Sequence, residues 1–242
     1  MRGLNMNEKF LVFDIWADYA HFKKPYTTTS PLTFSIPPRT VITGILSAII
    51  GFQKDEYHDV FTKELSKIAV SVKKPTKKVR ISENLINTKK SFNVIHERTQ
   101  IKIEFLKDPS YRFYVSHKDR ALFEKIKYCL SNHNSVYSVS LGLSENMANF
   151  KFIGEYEAKE ELKPNDFIDI ASAIPVMQLS KGNVDFSREG EYFTEIIPLQ
   201  MDKERKVKEY GEVLFERTCN SIFSKPEVYY KLLGLGENIV PL

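Results

Sequence analysis

Ala20-His21-Phe22-Lys23-Lys24-Pro25-Tyr26-Thr27-Thr28-Thr29-Ser30 runs through Ser35-Ile36-Pro37-Pro38-Arg39 into the apolar segment Thr40 to Phe52. It reads as a basic, hydroxyl-rich loop leading from a strand into a helix. Side chains of this kind suit a phosphodiester and its bases. Lysine neutralises phosphate, hydroxyls and free backbone N–H groups fix sugar and phosphate oxygens, and Phe22 or Tyr26 can stack on an unpaired base. Pro37-Pro38 starts the helix, because proline suits the first helical position, where an N–H is unpaired anyway. Arg39 at that helix mouth makes an anion site on paper. A merely solvated connection has the same composition, and the residues alone leave both readings open.

Outward from this loop, Lys9 to Ala17 is apolar on both faces, as a strand in mid-sheet requires. Asp14 interrupts it and reads as a partnered carboxylate near the strand's end. Downstream, apolar residues pair at 41/42, 45/46 and 49/50, one buried helical stripe. Gly44 costs the helix about 1 kcal/mol relative to alanine and so marks close approach to another backbone, and Gly51 is a natural C-cap. Asp55 to Leu65 is expected to form a second short helix, and Lys67 to Lys73 a strand with one wet face. From Lys73 to Lys90 there are seven basic residues against one acid, Glu83, with Asn84, Asn87 and Thr88 favouring turns. The span from about 76 to 106 therefore reads as a projecting hairpin, Val79 to Ile86 going out and Asn93 to Phe105 returning, with Lys89 and Lys90 at or near the tip.

Tyr111 to Ser116 is the next strand, Lys118 to Leu130 an amphipathic helix, and Asn149 to Tyr156 another strand. Leaving out the hairpin, the order over residues 8 to 157 is strand, helix, strand, strand, helix, strand. This is an α+β, ferredoxin-like arrangement, the layout of RNA-recognition domains. Ser140-Leu141-Gly142-Leu143-Ser144-Glu145-Asn146 is a glycine turn in which Ser144 either caps a short helix or contacts a phosphate. Beyond it, short apolar runs broken by Pro and Gly predict a small, mostly antiparallel β subdomain over 158–242, after a first domain over 1–157.

The 242 residues, 42% hydrophobic, are enough for a real core. The formal charge of +4 is unevenly placed: residues 1 to 120 carry net +9 and the remainder net −5. The basic half is the candidate polyanion face, since neutralising phosphates releases counterions whatever the base sequence. The acidic half is expected to face protein or solvent. Cys129 and Cys219 have no metal or disulfide spacing, and each reads as a small buried apolar residue. The longest apolar run, Val41 to Phe52, is too short to span a bilayer, and the N-terminus lacks a signal-peptide layout. The expectation is a cytoplasmic protein, not associated with membrane, with residues 1 to 7 a loose leader. No Walker, dinucleotide-binding, zincin or nucleophile-elbow motif is present, so nucleotide hydrolysis, dinucleotide redox chemistry and serine hydrolysis are unsupported.

The ordered set Phe22-Lys23-Lys24-Pro25-Tyr26-Thr27-Thr28-Thr29-Ser30, Ile36-Pro37-Pro38-Arg39-Thr40 and Gly44 to Gly51 resembles the N-terminal signature of the CRISPR-associated RAMP proteins of the fifth Cas family. The 140–146 segment, Ala173-Ile174-Pro175, and the spaced Tyr192, Ile197-Pro198, Arg205, Tyr210 and Val213-Leu214 extend the likeness, which is greatest to the subtype I-B branch. The resemblance implies a ferredoxin-like RAMP domain with the hairpin as its thumb. It implies a non-catalytic subunit of a type I Cascade complex, holding the five-prime handle of the guide RNA in antiviral defence. No cofactor or metal is implied. Phe22, Lys23, Lys24, Tyr26, Thr27, Thr28, Thr29 and Arg39 would hold handle phosphates and an unstacked base, and Lys89, Lys90, His96 and Arg98 would clamp the strand, with Ser144 as a further contact. The thumb would also meet the neighbouring backbone subunit, and other surfaces the large subunit, so that target DNA is reached only indirectly. The rival reading is a metal-independent endoribonuclease that processes the CRISPR precursor. For it, His21 beside Lys23, Lys24 and Tyr26, His96 beside Arg98, and His117 beside Lys118 are the candidate groups.

Overall fold

Large apolar side chains on both faces of β1 (Glu8–Ala17) force this strand into the middle of the molecule. Phe10, Leu11, Val12 and Phe13 are fully buried in the computed structural model, which describes residues 8–27, 29–86, 95 and 97–242. After β1 come β2 (Tyr19–Ala20), α1 (Arg39–Ile50), β3 (Ser66–Val72), β4 (Lys77–Ile86) and β5 (Arg98–Lys107). They are followed by β6 (Ser110–His117), α2 (Arg120–Ser131) and β7 (Ala148–Leu162). Strand predominates over helix.

In the main sheet these elements lie in the order β7-β1-β6-β3, with every neighbouring pair antiparallel. Leu11, Phe13 and Ile15 share a core with Ile42, Ile45, Leu46 and Ile49 of α1 and Leu122, Phe123 and Ile126 of α2. Phe10 and Val12 pack on the opposite side with Tyr114, Tyr230 and Ile239. Helix α1 starts after Pro38 and ends at Gly51, whose φ of 88° and N–H bond to the Ser47 carbonyl make the left-handed cap. Asp119 caps α2 by accepting from the amides of Ala121 and Leu122. Asp14 receives a two-pronged bond from Arg112, at 2.7 and 3.0 Å, as its place at the strand's end suggested.

Beyond β7 the chain forms β8 (Ile168–Ile170), β9 (Ile174–Pro175), β10 (Tyr192–Met201), β11 (Val207–Glu216), β12 (Ile222–Ser224), β13 (Val228–Leu232) and β14 (Asn238–Ile239). Their pairings are antiparallel. These strands do not stand apart. Residues 157 and 158 lie inside β7, β13 and β14 extend the main sheet from β7, and Ile197, Leu199, Val213 and Phe215 join the core against α1.

Three local expectations are corrected. Asp55 to Leu65 is a run of turns, not a helix, and the carbonyls of Phe61 and Thr62 accept from Arg39. Gly44 faces a side chain rather than a backbone: a Cβ there would stand 3.4 Å from the Tyr57 hydroxyl. Cys129 is buried as expected, but Cys219 is exposed in a turn at φ 79°.

Candidate nucleic-acid interface

The loop between β2 and α1 doubles back on itself. Lys24 N–H donates to the Leu32 carbonyl and Phe34 N–H to the Phe22 carbonyl, each at 2.9 Å. The Thr27 hydroxyl closes the tip, donating to the Lys24 carbonyl at 2.9 Å and accepting from the Leu32 amide at 3.1 Å. Thr27 is therefore committed to the loop's own structure, while Tyr26, at 72% exposure, and Thr29 project outward. Lys23 is exposed and has no ion pair among the described residues. Thr28 lies outside the described residues.

Phe22 does not present a stacking face. It is 1% exposed and packs against Tyr111, because its side chain continues the apolar inner face of the loop into the core. Arg39 is the larger correction. Its side chain is also 1% exposed and forms no anion site at the mouth of α1. The guanidinium donates to the carbonyls of Phe61, Thr62, Ser66 and Leu199 and to the Ser66 hydroxyl, at 2.8 to 3.4 Å. Burial lowers its pKa to about 10, the charges of Glu209 and Glu64 opposing the shift. It ties the start of α1 to the 57–65 turns, β3 and β10.

The strands of the expected hairpin pair as a ribbon, β4 and β5 being in register from Lys77 opposite Lys107 to Ile86 opposite Arg98, with β2 added beside β5 at the root. Alternation gives it two unlike faces. Val79, Ile81, Leu85, Ile101, Ile103 and Phe105 share one with Lys77, Glu83, Thr99 and Lys107; Lys78, Arg80, Ser82, Asn84, Arg98, Gln100, Lys102 and Glu104 share the other with Ile86 and Leu106. Arg80, Arg98 and Lys102 are exposed, with no ion pair among the described residues. Lys89, Lys90 and His96 lie outside the described residues.

Loop and ribbon meet at the root of this polar face. The Glu104 N–H donates to the Pro31 carbonyl at 2.9 Å, and Lys78 Nζ donates to the Thr33 carbonyl at 3.1 Å. A single carboxylate completes the junction. Glu195, from β10, lies 3.0 Å from Lys24 Nζ and 3.8 Å from Lys78 Nζ, and accepts from the Ser35 amide at 2.7 Å and hydroxyl at 3.1 Å. Sequence reading did not single out Glu195, Lys78, Arg80 or Lys102. The basic alternation at 78 and 80 was a visible signal, whereas Glu195, 171 positions from Lys24, gave none.

Of the histidines named for general acid–base work, His21 and His117, the two among the described residues, are held by structure. His21 is 2% exposed, its Nδ1 2.7 Å from the Glu104 carbonyl. His117 uses both ring nitrogens: Nδ1 accepts from the Asp119 amide at 3.0 Å and Nε2 donates to the Val60 carbonyl at 2.9 Å. Ser144 caps no helix; it lies exposed in a turn, its hydroxyl on Glu145. That turn is pressed against the loop. A Cβ at Gly142, where φ is 95°, would fall 1.9 Å from the His21 carbonyl oxygen, so only glycine fits.

The sequence matches the model of a family described as CRISPR-associated protein (Cas_Cas5) over residues 10–134. No curated protein matches it. Among solved structures, a CRISPR protein from Archaeoglobus fulgidus is 16% identical with a TM-score of 0.60, covering 96% of this chain and 98% of its own. A chain from the cryo-EM structure of the type III-B Cmr-beta bound to cognate target RNA and AMPPnP is 13% identical with a TM-score of 0.51, covering 90% of this chain and 86% of its own. At these identities the likeness establishes a shared fold. With the family model spanning more than half its length, the chain belongs to the CRISPR-associated Cas_Cas5 family.

Proposed function

We propose that this chain is a guide-RNA-binding subunit of a type I, I-B-like, CRISPR surveillance complex, and that it holds the five-prime handle without cutting it. In this reading β1, α1, β3, β6, α2 and β7 are the ferredoxin-like RAMP unit and the β4–β5 ribbon is its thumb. The observation that carries the reading is the meeting of the β2–α1 loop and the ribbon on one basic face. On the ribbon Arg80, Lys102 and Arg98 have no ion pairs among the described residues, at its root Lys24 and Lys78 are anchored by Glu195, and Lys23 stands exposed on the loop. Free cations on a ribbon suit a phosphate backbone, and an exposed Tyr26 suits an unstacked base. Family membership and the shared fold with a chain of an RNA-bound complex support the same conclusion. The backbone and large subunits of the complex are the expected protein partners. A non-catalytic role is supported by the fixed rings of His21 and His117. The test is a salt titration of guide-RNA binding by the full chain. Arg80→Ala with Lys102→Ala weakens binding and lowers the log–log slope by about 0.7 for each phosphate no longer neutralised. An unchanged slope removes the ribbon from the interface.

A further inference from the structure

A pocket of about 210 Å3 opens at the root of the ribbon, lined by Ser35, Thr76, Lys78, Phe193, Glu195 and Arg217. Three elements distant in sequence build it: the β2–α1 loop, the start of β4 with the residues before it, and the β10–β11 pair. Phe193 is 47% exposed, and its ring stacks at 6.1 Å and 26° on the buried ring of Phe215, which fixes its plane. The Arg217 guanidinium lies 5.6 Å from the Phe193 centroid. Thr76 is 8% exposed, and its hydroxyl has no hydrogen-bond partner although its amide is held by the Arg217 carbonyl at 3.0 Å. The Thr76 hydroxyl oxygen has almost no accessible surface, so it belongs to the pocket's wall and not to its opening.

We propose that this pocket takes one unstacked nucleobase of a single-stranded RNA whose backbone runs along the Lys78–Arg80–Lys102 face. The proposal rests on the RNA-binding reading above and adds a specific subsite to it. A half-exposed aromatic ring offers a base its face, and the Glu195 carboxylate, whose Oε2 accepts only from the Ser35 amide among the described residues, offers an acceptor to its edge. Charge selects a base over a phosphate. Lys24, Lys78 and Arg217 are each matched by a carboxylate, from Glu195, Glu104 or Glu191, so the pocket has no net positive charge to hold an anion. The unpaired cations stand further out, on Arg80 and Lys102, where the strand's phosphates would pass.

The test uses the full-length chain with short single-stranded RNA homopolymers of each base and an abasic ribose-phosphate strand of equal length, read by fluorescence anisotropy. Wild type binds at least one homopolymer more tightly than the abasic strand. Phe193→Ala weakens that homopolymer about tenfold or more, within the range for loss of one base–aromatic stack, with an unchanged salt slope and unchanged affinity for the abasic strand. Phe193→Tyr, which keeps the ring, binds that homopolymer within about twofold of wild type, so the loss in Phe193→Ala reports the ring and not the fold. If Phe193→Ala binds like wild type while Arg80→Ala with Lys102→Ala lowers affinity and slope, the base pocket is refuted and the RNA reading stands. Equal affinity of wild type for abasic and base-bearing strands also refutes the pocket. Failure of wild type to bind any of these strands overturns both.

Discussion

Glu195 Oε1 lies 3.0 Å from Lys24 Nζ, joining the β2–α1 loop to strand β10 across 171 positions of sequence. Both side chains are mostly shielded, at 15% and 12% exposure, so the pair is less screened than a surface bridge. The same carboxylate accepts from the Ser35 amide.

Glu195→Ala leaves that amide and the Lys24 ammonium without an acceptor. Loss of charge-assisted bonds of this kind lowers stability by about 1.5–3 kcal/mol. Urea denaturation measures the loss. Hydrogen exchange at the Ser35 amide accelerates at the same time, and an unchanged rate would show that Glu195 does not hold the loop.

Arg39 and Lys23 separate structure from binding. Arg39→Ala takes a donor from the buried carbonyls of Phe61, Ser66 and Leu199 and costs about 3 kcal/mol or more, while Lys23→Ala changes stability by no more than about 0.5 kcal/mol. For guide RNA the order reverses. Lys23→Ala lowers the salt slope by about 0.7, and folded Arg39→Ala keeps the wild-type slope. Denaturation and salt titration of the two variants check both halves.

Gly142→Ala meets the His21 carbonyl oxygen and a positive φ together. A clash with backbone cannot be relieved by a rotamer change. The variant is destabilised by about 2 kcal/mol or more, seen as a lower thermal midpoint.

Glu216 sets an acid limit. Burial alone raises its pKa, but bonds from the Thr218 hydroxyl and from the amides of Glu191, Thr218 and Asn220 outweigh burial and hold it below the usual carboxylate value. A depressed folded pKa contributes stability that is fully present above the unfolded value of 4.5 and is lost as pH falls through the folded one. Stability therefore declines on acidification below about 4.5, and Glu216→Gln flattens that limb while lowering stability at neutral pH. Denaturation profiles of the two proteins between neutral and acid pH are the measurement.

Repeat RNA incubated with the chain in EDTA stays intact. Proton transfer from His117 would require breaking both bonds that fix its ring. Cleavage abolished by His117→Ala or His21→Ala would make the chain an endoribonuclease.

What one short stretch can encode was legible. The two-sided apolar run at Phe10 to Phe13 determined a buried central strand, the paired apolar positions from Val41 to Ile50 determined α1 with its Gly51 cap, and the basic alternating stretch after Lys73 determined the ribbon. These follow from period and local backbone preference, which act within a few residues. Direction in space was not legible. Arg39 and Phe22 carry the chemistry of an RNA contact, yet both point inward, because the carbonyls that fill the Arg39 guanidinium and the ring that covers Phe22 come from other elements. Likewise, Thr76, Glu195, Phe193 and Arg217 form a pocket only once β10 and β11 pack beside the loop. Sequence by itself determined which segments become strand, helix and ribbon; only the tertiary structure decided which polar groups are spent on one another, since hydrogen bonds between elements depend on distances set by packing.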